Sequence, residues 1–220
     1  EQRNWAQEHV PNPAEWVLHL DADERISPEL AGWLRGEFPH AAERVDGFMF
    51  SRRTVFLGRW IRYGGHYPSF HMRLFKASLG HCERKAYDQH FLVAGKVDAI
   101  RGVDIIDSVA SSLSQFIASH NRWSTAEAEE CVEAEYRGEV RSALDGNPIE
   151  KRRWLKNNMY LRLPLFLRRF LYVFYRYFVR LGFLDGAEGL VFHVLQGFWF
   201  RFLVDAKILE IRRARAIERA

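Results

Sequence analysis

A short apolar run, Trp16-Val17-Leu18-His19-Leu20, stops abruptly at Asp21-Ala22-Asp23-Glu24. This junction constrains the chain more than any other stretch. The run predicts a buried strand. Carboxylates spaced i, i+2 on a strand share one face, here at its C-terminal end. In open α/β sheets that edge is where ligands bind. Asp21 and Asp23 so placed could hold a hard divalent cation, Mg2+ or Mn2+, and the cation could hold a diphosphate. A competing reading makes the acidic tetrad only the cap of a following helix, with Ile26, Leu30, Trp33 and Leu34 on its inner face. Acidic residues are favoured at helix N-termini, so the tetrad alone does not decide.

The rest of the chain gives that strand a setting. A helix is expected from about Ser27 to Phe38, then a strand over Gly47 to Arg53 and a short one at Arg73-Leu74-Phe75. Between the two strands, the stretch from Phe56 to Phe70 is aromatic and glycine-rich, and reads as a binding loop rather than core. Ser111 to Tyr136 reads as helical. Asp145-Gly146-Asn147-Pro148 is a turn, and the expected boundary lies there, between regions 1–148 and 149–220. Cys82 and Cys131 form neither a disulfide framework nor a zinc spacing. There is no signal-like opening segment. Gln2 to Ala6 reads as the middle of a helix, where a parallel-sheet domain would already have strands. The chain is therefore expected to be the C-terminal part of a longer protein.

Charge divides the two regions. Residues 1–150 carry 17 Lys/Arg against 23 Asp/Glu, whereas residues 151–220 carry 15 against 5. In the tail, Arg162, Arg169, Arg176 and Arg180 fall within about 40° of one another on a helical wheel, among phenylalanines and tyrosines. A second apolar segment runs from Leu190 to Val204. The longest uncharged stretch of the tail, Gly189 to Phe200, has 12 residues, short of the roughly 18 that a span needs. A basic stripe on an aromatic helix fits one lying on an anionic membrane surface. A helical hairpin packed on the rest of the protein is the alternative. Nucleic acid is not an expected partner, because bulky apolar surface would remain exposed beside the patch.

Two further clusters carry chemistry. Asp88 is the only carboxylate between Glu83 and Asp98, in Tyr87-Asp88-Gln89-His90-Phe91. Asp88 could take the proton from an attacking hydroxyl, which Gln89 cannot do. His66, His71 and Arg73 flank the glycine-aromatic loop, and the arginine could grip a diphosphate. Structural roles, a turn cap for Asp88 and ring packing for His90, compete with these.

Four stretches taken in order resemble the family-2 glycosyltransferases with a GT-A fold, in particular bacterial membrane-associated members of lipopolysaccharide, capsule or exopolysaccharide synthesis. They are Gln2-Arg3-Asn4-Trp5-Ala6, Glu15 to Arg25, Gly65 to Phe75, and Asp88-Gln89-His90-Phe91; Gly182 to Gly186 with Phe198-Trp199 is similar too. The resemblance implies that Asp21 and Asp23 bind the metal and the nucleotide diphosphate, with Arg3 and Asn4 near the nucleotide. Many relatives place a His-Glu pair before the glycine that matches Gly95. Here Gln89 stands at the glutamate position, which leaves Asp88 as the expected base, with Gln89 and His90 beside acceptor or diphosphate.

The expectation is thus an α/β protein: a GT-A-like, Rossmann-like mixed sheet with flanking helices, lacking its first strands, followed by an amphipathic helical segment. Its expected work is inverting, metal-dependent transfer of a sugar from a nucleotide-sugar donor to a glycan or lipid-linked acceptor, at the cytoplasmic face of the bacterial inner membrane. A non-catalytic membrane-surface scaffold is the chief alternative, and a phosphotransferase using the same acidic pair is a third.

Overall fold

The computed structural model describes residues 2–9, 14–85, 88–133 and 139–218. Tyr87 and Tyr136, named above, lie outside them. The strands are β1 (Trp16–Leu18), β2 (Glu24–Ile26), β3 (Gly47–Phe56), β4 (Arg59–Trp60), β5 (Phe70–Lys76), β6 (Gly80–Cys82), β7 (Phe91–Val93) and β8 (Val97–Ser108). The helices are α1 (Gln2–Glu8), α2 (Pro28–Gly36), α3 (Phe38–Ala41), α4 (Leu113–Val132), α5 (Pro148–Asn158), α6 (Leu167–Phe174), α7 (Gly186–Phe192) and α8 (Phe200–Ile217). A π-helical turn, Tyr175–Val179, extends α6, and another, His193–Trp199, joins α7 to α8.

The main sheet has the order β1-β5-β3-β8-β2, with β4 hairpinned onto β3. It is mixed: β3 runs parallel to β8, while the other pairs are antiparallel. The alternation along β3 explains its central place. Phe48 and Phe50 face one side, packing with Leu30 and Trp33 of α2. Met49 faces the other, with Phe75, Phe91 and Ile149. Both faces are buried, as a central strand requires.

Several expectations change. The strand at Trp16 ends at Leu18, and Asp21 to Asp23 form a tight turn closed by Glu24 N donating to Asp21 O (2.9 Å). The chain then returns as β2, so the two aspartates do not share a strand face. Nor do they cap α2. That cap is Ser27, whose hydroxyl accepts from Leu30 N at 3.1 Å, with Pro28 in the first turn. The glycine-aromatic loop also supplies core: Phe56 and Ile61 are buried with Phe116 of α4 and Phe192 of α7.

The turn before α5 is as expected, a capping box between Asn147 and Glu150. The basic stripe is not where a lipid-facing reading puts it. Arg169 is 0 % exposed and Arg176 7 % exposed, so of the four stripe arginines only Arg162 and Arg180 stand on the surface. The cause is a buried carboxylate, Asp205 of α8. It bonds Arg169 Nη1 at 2.8 Å, pairs with Arg168, and accepts from Phe166 N at 3.0 Å. Asp185 reaches out of the tail to accept from Arg62 N and Tyr63 N (3.1 and 2.9 Å). Gly64, at φ +70°, has no room for a Cβ, which would sit 2.1 Å from His193 Cε1. These contacts dock the tail on the sheet region.

Removing one partner of a buried ion cluster leaves the other charges unpaired. Asp205→Asn should therefore destabilise the protein by about 3–5 kcal/mol in urea unfolding. A loss below about 1 kcal/mol, the scale of an ordinary surface pair, would show that this cluster is not what holds the tail.

Candidate functional site

One cavity of about 620 Å³ collects most of the residues singled out above. Its floor is the turn after β1 together with Arg52 and Thr54 of β3 and His71 and Arg73 of β5. Asp88, Gln89, His90 and Phe91 form one side. The tail forms the roof, with Arg152 and Lys156 of α5, Tyr172 of α6, Arg176, Gln196 and Arg201. The two regions on either side of residue 148 therefore share one site.

The acidic wall is a charge network. Arg73, 4 % exposed, donates to Asp21 Oδ2 at 2.7 Å and to Glu24 Oε1 at 2.6 Å. Arg3 pairs with Asp21 Oδ1, and Arg52 with Glu24 at 2.8 Å. Desolvation alone would raise the Asp21 carboxyl, but Arg73, Arg3 and Arg52 overcome it and hold the group below the usual carboxylate range. Asn4 goes elsewhere. Its amide brackets the Cys82 backbone (Nδ2 to O 2.9 Å, N to Oδ1 2.7 Å), which pins α1 to β6 and leaves Asn4 out of the cavity lining.

Asp23 differs from Asp21 in every respect. It is exposed to the cavity, and its carboxylate makes no hydrogen bond or ion pair among the described residues. Asp107 of β8 stands near it. Desolvation pushes Asp107 up to about 6, with Arg52 opposing and Asp23 and Glu24 adding. Among the described residues no three His, Cys, Asp or Glu groups converge as a metal cage. Mg2+, however, is commonly held by one or two carboxylates plus substrate phosphates. Asp23 fits that smaller role, with Asp107, which also pairs with Arg52 Nε through Oδ2 at 3.6 Å, as the neighbouring carboxylate, whereas Asp21 has both oxygens taken by guanidinium groups.

Asp88 sits at φ +54°, in the left-handed region that aspartate tolerates better than most residues. Its carboxylate opens to the cavity. Although the surrounding protein desolvates it, His90, Lys156, Lys85 and Arg153 lower its pKa far below the ordinary value, so it is ionised. The neighbouring Gln89 amide donates to Lys85 O. His90 is buried, with Nδ1 3.1 Å from Glu83 Oε1, and Glu83 also binds Arg153 at 3.1 Å. The His90 ring stacks 6.3 Å from that of His71.

His66 bridges Thr54 Oγ1 (2.9 Å) and Arg176 Nη2 (3.0 Å), and His71 contacts Ser69 Oγ at 3.2 Å. Desolvation lowers both imidazoles well below 6.5, helped chiefly by Arg176 for His66 and by Arg52 for His71. Sequence reading missed Glu24, Arg52, Asp107, Arg152 and Lys156 as site residues. Asp107 had a signal: Val97 to Ser108 is rich in β-branched residues, as a strand should be. The tail cations had none, because only the docked fold turns them inward. The chain matches no family model and no solved structure.

Neutral imidazoles beside fixed guanidinium groups should not titrate where free histidine does. Because the folded values lie below 6.5, their contribution to stability is complete above pH 6.5 and is lost progressively as the pH falls below it. Side-chain NMR should show His66 and His71 neutral at pH 6. A midpoint near 6.5 for either ring would contradict the crowding described here.

Proposed function

We propose that the chain carries the acceptor side and the diphosphate side of an inverting glycosyltransferase of the GT-A, family-2 type. The observation that supports this reading is the single cavity that holds the acidic turn after β1 at one wall and an ionised Asp88 at another. A helix-cap role for Asp21 and Asp23, on which the scaffold alternative leaned, is taken by Ser27 instead.

In the proposed reaction, Asp88 accepts the proton of an acceptor hydroxyl while that oxygen attacks the anomeric carbon. The bond from that carbon to the nucleotide diphosphate breaks with its electron pair on the leaving oxygen. Asp88, held at low pKa by its cationic neighbours, is a weak base, so the proton moves late, once the attacking oxygen has become acidic. Arg73 and Arg52 fix the turn that presents Asp23. Asp23, with Asp107 beside it, would hold Mg2+ or Mn2+, which supplies positive charge against the departing diphosphate. Arg3, tied to Asp21, stands at the same wall for the nucleotide.

The tail provides a membrane-facing surface under this proposal. No helix among the described residues is long and apolar enough to cross a membrane. Yet Leu167, Phe170, Leu171, Phe174, Phe178, Val179 and Val194 are all exposed, on or next to α6 and α7. A contiguous apolar face of this kind marks a membrane or protein interface. With Arg169 and Arg176 buried, attachment at the cytoplasmic face of the bacterial inner membrane rests on these aromatics rather than on a basic stripe. Of the stripe arginines, exposed Arg162 and Arg180 would meet an anionic surface.

Two measurements test the proposal. In a nucleotide-release assay over a panel of nucleotide-sugars, Asp88→Asn should keep donor binding and lower transfer by about 10²-fold or more, while Asp23→Asn should abolish the metal dependence. Near-normal rates in both would reject the mechanism, and a phosphorylated product would favour phosphotransfer. In vesicle co-sedimentation, Phe170→Ser combined with Phe174→Ser should reduce binding to neutral and anionic vesicles alike. Unchanged sedimentation, or a wild-type dimer that the double variant splits, would assign that face to protein contact instead.

A further inference from the structure

Most cations lining the cavity have a carboxylate of their own. Arg73 and Arg52 share Glu24, and Lys156 and Arg201 share the buried Glu127 at 2.7 and 2.9 Å. Arg152 and Arg176 do not. Among the described residues neither makes an ion pair. Arg176, only 7 % exposed, spends its donors on neutral acceptors: Gly64 O (2.7 Å), Tyr172 Oη (3.1 Å) and His66 Nδ1 (3.0 Å). Arg152 reaches across the cavity to Ser69 Oγ at 3.0 Å.

Arg176 is buried, and a buried guanidinium without a counter-ion is expensive; Arg152 is exposed and lines the cavity with its fork open to a ligand. The surroundings agree. Desolvation lowers the Arg152 guanidinium, with Asp88 and Tyr172 opposing and Arg52 and Arg176 adding. The Tyr172 phenol, which desolvation alone would raise, is drawn down by Arg176, Arg201 and Arg152. The local field is positive, and the carboxylate that acts most on Arg152 is Asp88, the expected base.

We propose that Arg152 and Arg176 form a subsite for an oxyanion carried by the acceptor, a phosphate or carboxylate on the sugar that receives the transferred residue. This rests on the glycosyltransferase reading, because it takes the donor's diphosphate to lie at the acidic wall. The subsite is on the other side, with Asp88. The guanidinium fork of Arg152 suits bidentate capture of phosphate or carboxylate. An acceptor anchored there presents a neighbouring hydroxyl to Asp88, so the subsite positions the nucleophile and rejects neutral sugars.

Isothermal titration of the protein with glucose 6-phosphate, glucuronate and glucose, each with and without saturating UDP, tests this. The charged sugars should bind, glucose should not, and UDP should leave their affinity unchanged. Arg152→Gln, whose side chain stands in the cavity rather than the core, should weaken the charged sugars about ten- to hundredfold, the scale of a charged hydrogen bond. Its UDP affinity should be unaltered, and Arg152→Lys should recover part of the loss. Thermal melting checks that each variant is folded. Displacement of the charged sugars by UDP, with Arg152→Gln weakening UDP itself, would overturn the proposal and assign these arginines to the donor diphosphate. Equal affinity for glucose and the charged sugars would overturn it as well. If charged sugars bind as described but UDP binds to no form of the protein, the subsite stands and the nucleotide-sugar reading fails.

Discussion

Arg73 is the interaction on which the site's architecture depends. It is buried on β5 and bridges Asp21 and Glu24 across the turn between β1 and β2. A three-residue strand followed by a three-residue turn has little hydrogen bonding to fix it. The guanidinium supplies what the backbone lacks: two charge-assisted bonds in a desolvated setting, each stronger than a neutral one. Because Glu24 also binds Arg52, the turn is tied to β3 as well as to β5. Asp21 closes the circuit through Arg3, which brings α1 to the same point. Sheet, turn and first helix are thus referenced to one buried charge.

The same logic, opposite in sign, docks the tail. There the buried carboxylates Asp205 and Glu127 gather arginines and a lysine from α5, α6 and α8. Glu127, which desolvation would raise, is held down to about 2 by Arg201 and Lys156. Ion clusters of this kind are weak sources of net stability, since desolvation offsets most of the attraction. What they supply is geometry. Apolar packing of α4 on α8 through Ala128, Phe200, Val204 and Ile208 supplies the cohesion, and the charges select one docking among the many that an aromatic-rich hairpin could adopt.

How much of this was legible follows from the range of the forces. Local signals read well: the helix from Ser27, the strands at Gly47 and Arg73 and the turn at Asp145 to Pro148 all rest on near neighbours in sequence. Boundaries erred where tertiary contacts intervened. The strand at Trp16 ends early because the arginine network bends the chain into a turn. The 12-residue strand β8 went unread, and with it Asp107, whose importance comes only from lying opposite β2 in the sheet. Asn4 illustrates the converse: a residue assigned by resemblance to the nucleotide is used by the fold to hold Cys82. Longest in range, and least legible, was the inward turn of the tail arginines.

That inversion carries the largest consequence. The helical periodicity of Arg169 and Arg176 was read correctly, and its partner phase was not. A stripe of guanidinium groups beside aromatics satisfies either lipid phosphates outside or carboxylates and carbonyls inside, and wheel geometry is blind to the difference. Asp205 and Gly64 O settle it by offering buried acceptors at hydrogen-bond distance. Once the charges face inward, the aromatics have to face out, because the two stripes are opposite sides of one helix. The hairpin then has a cationic inner face that roofs the cavity and an apolar outer face that no described residue covers. Under the proposed function, these are the two surfaces an enzyme working beside a bilayer needs, and one amphipathic element provides both.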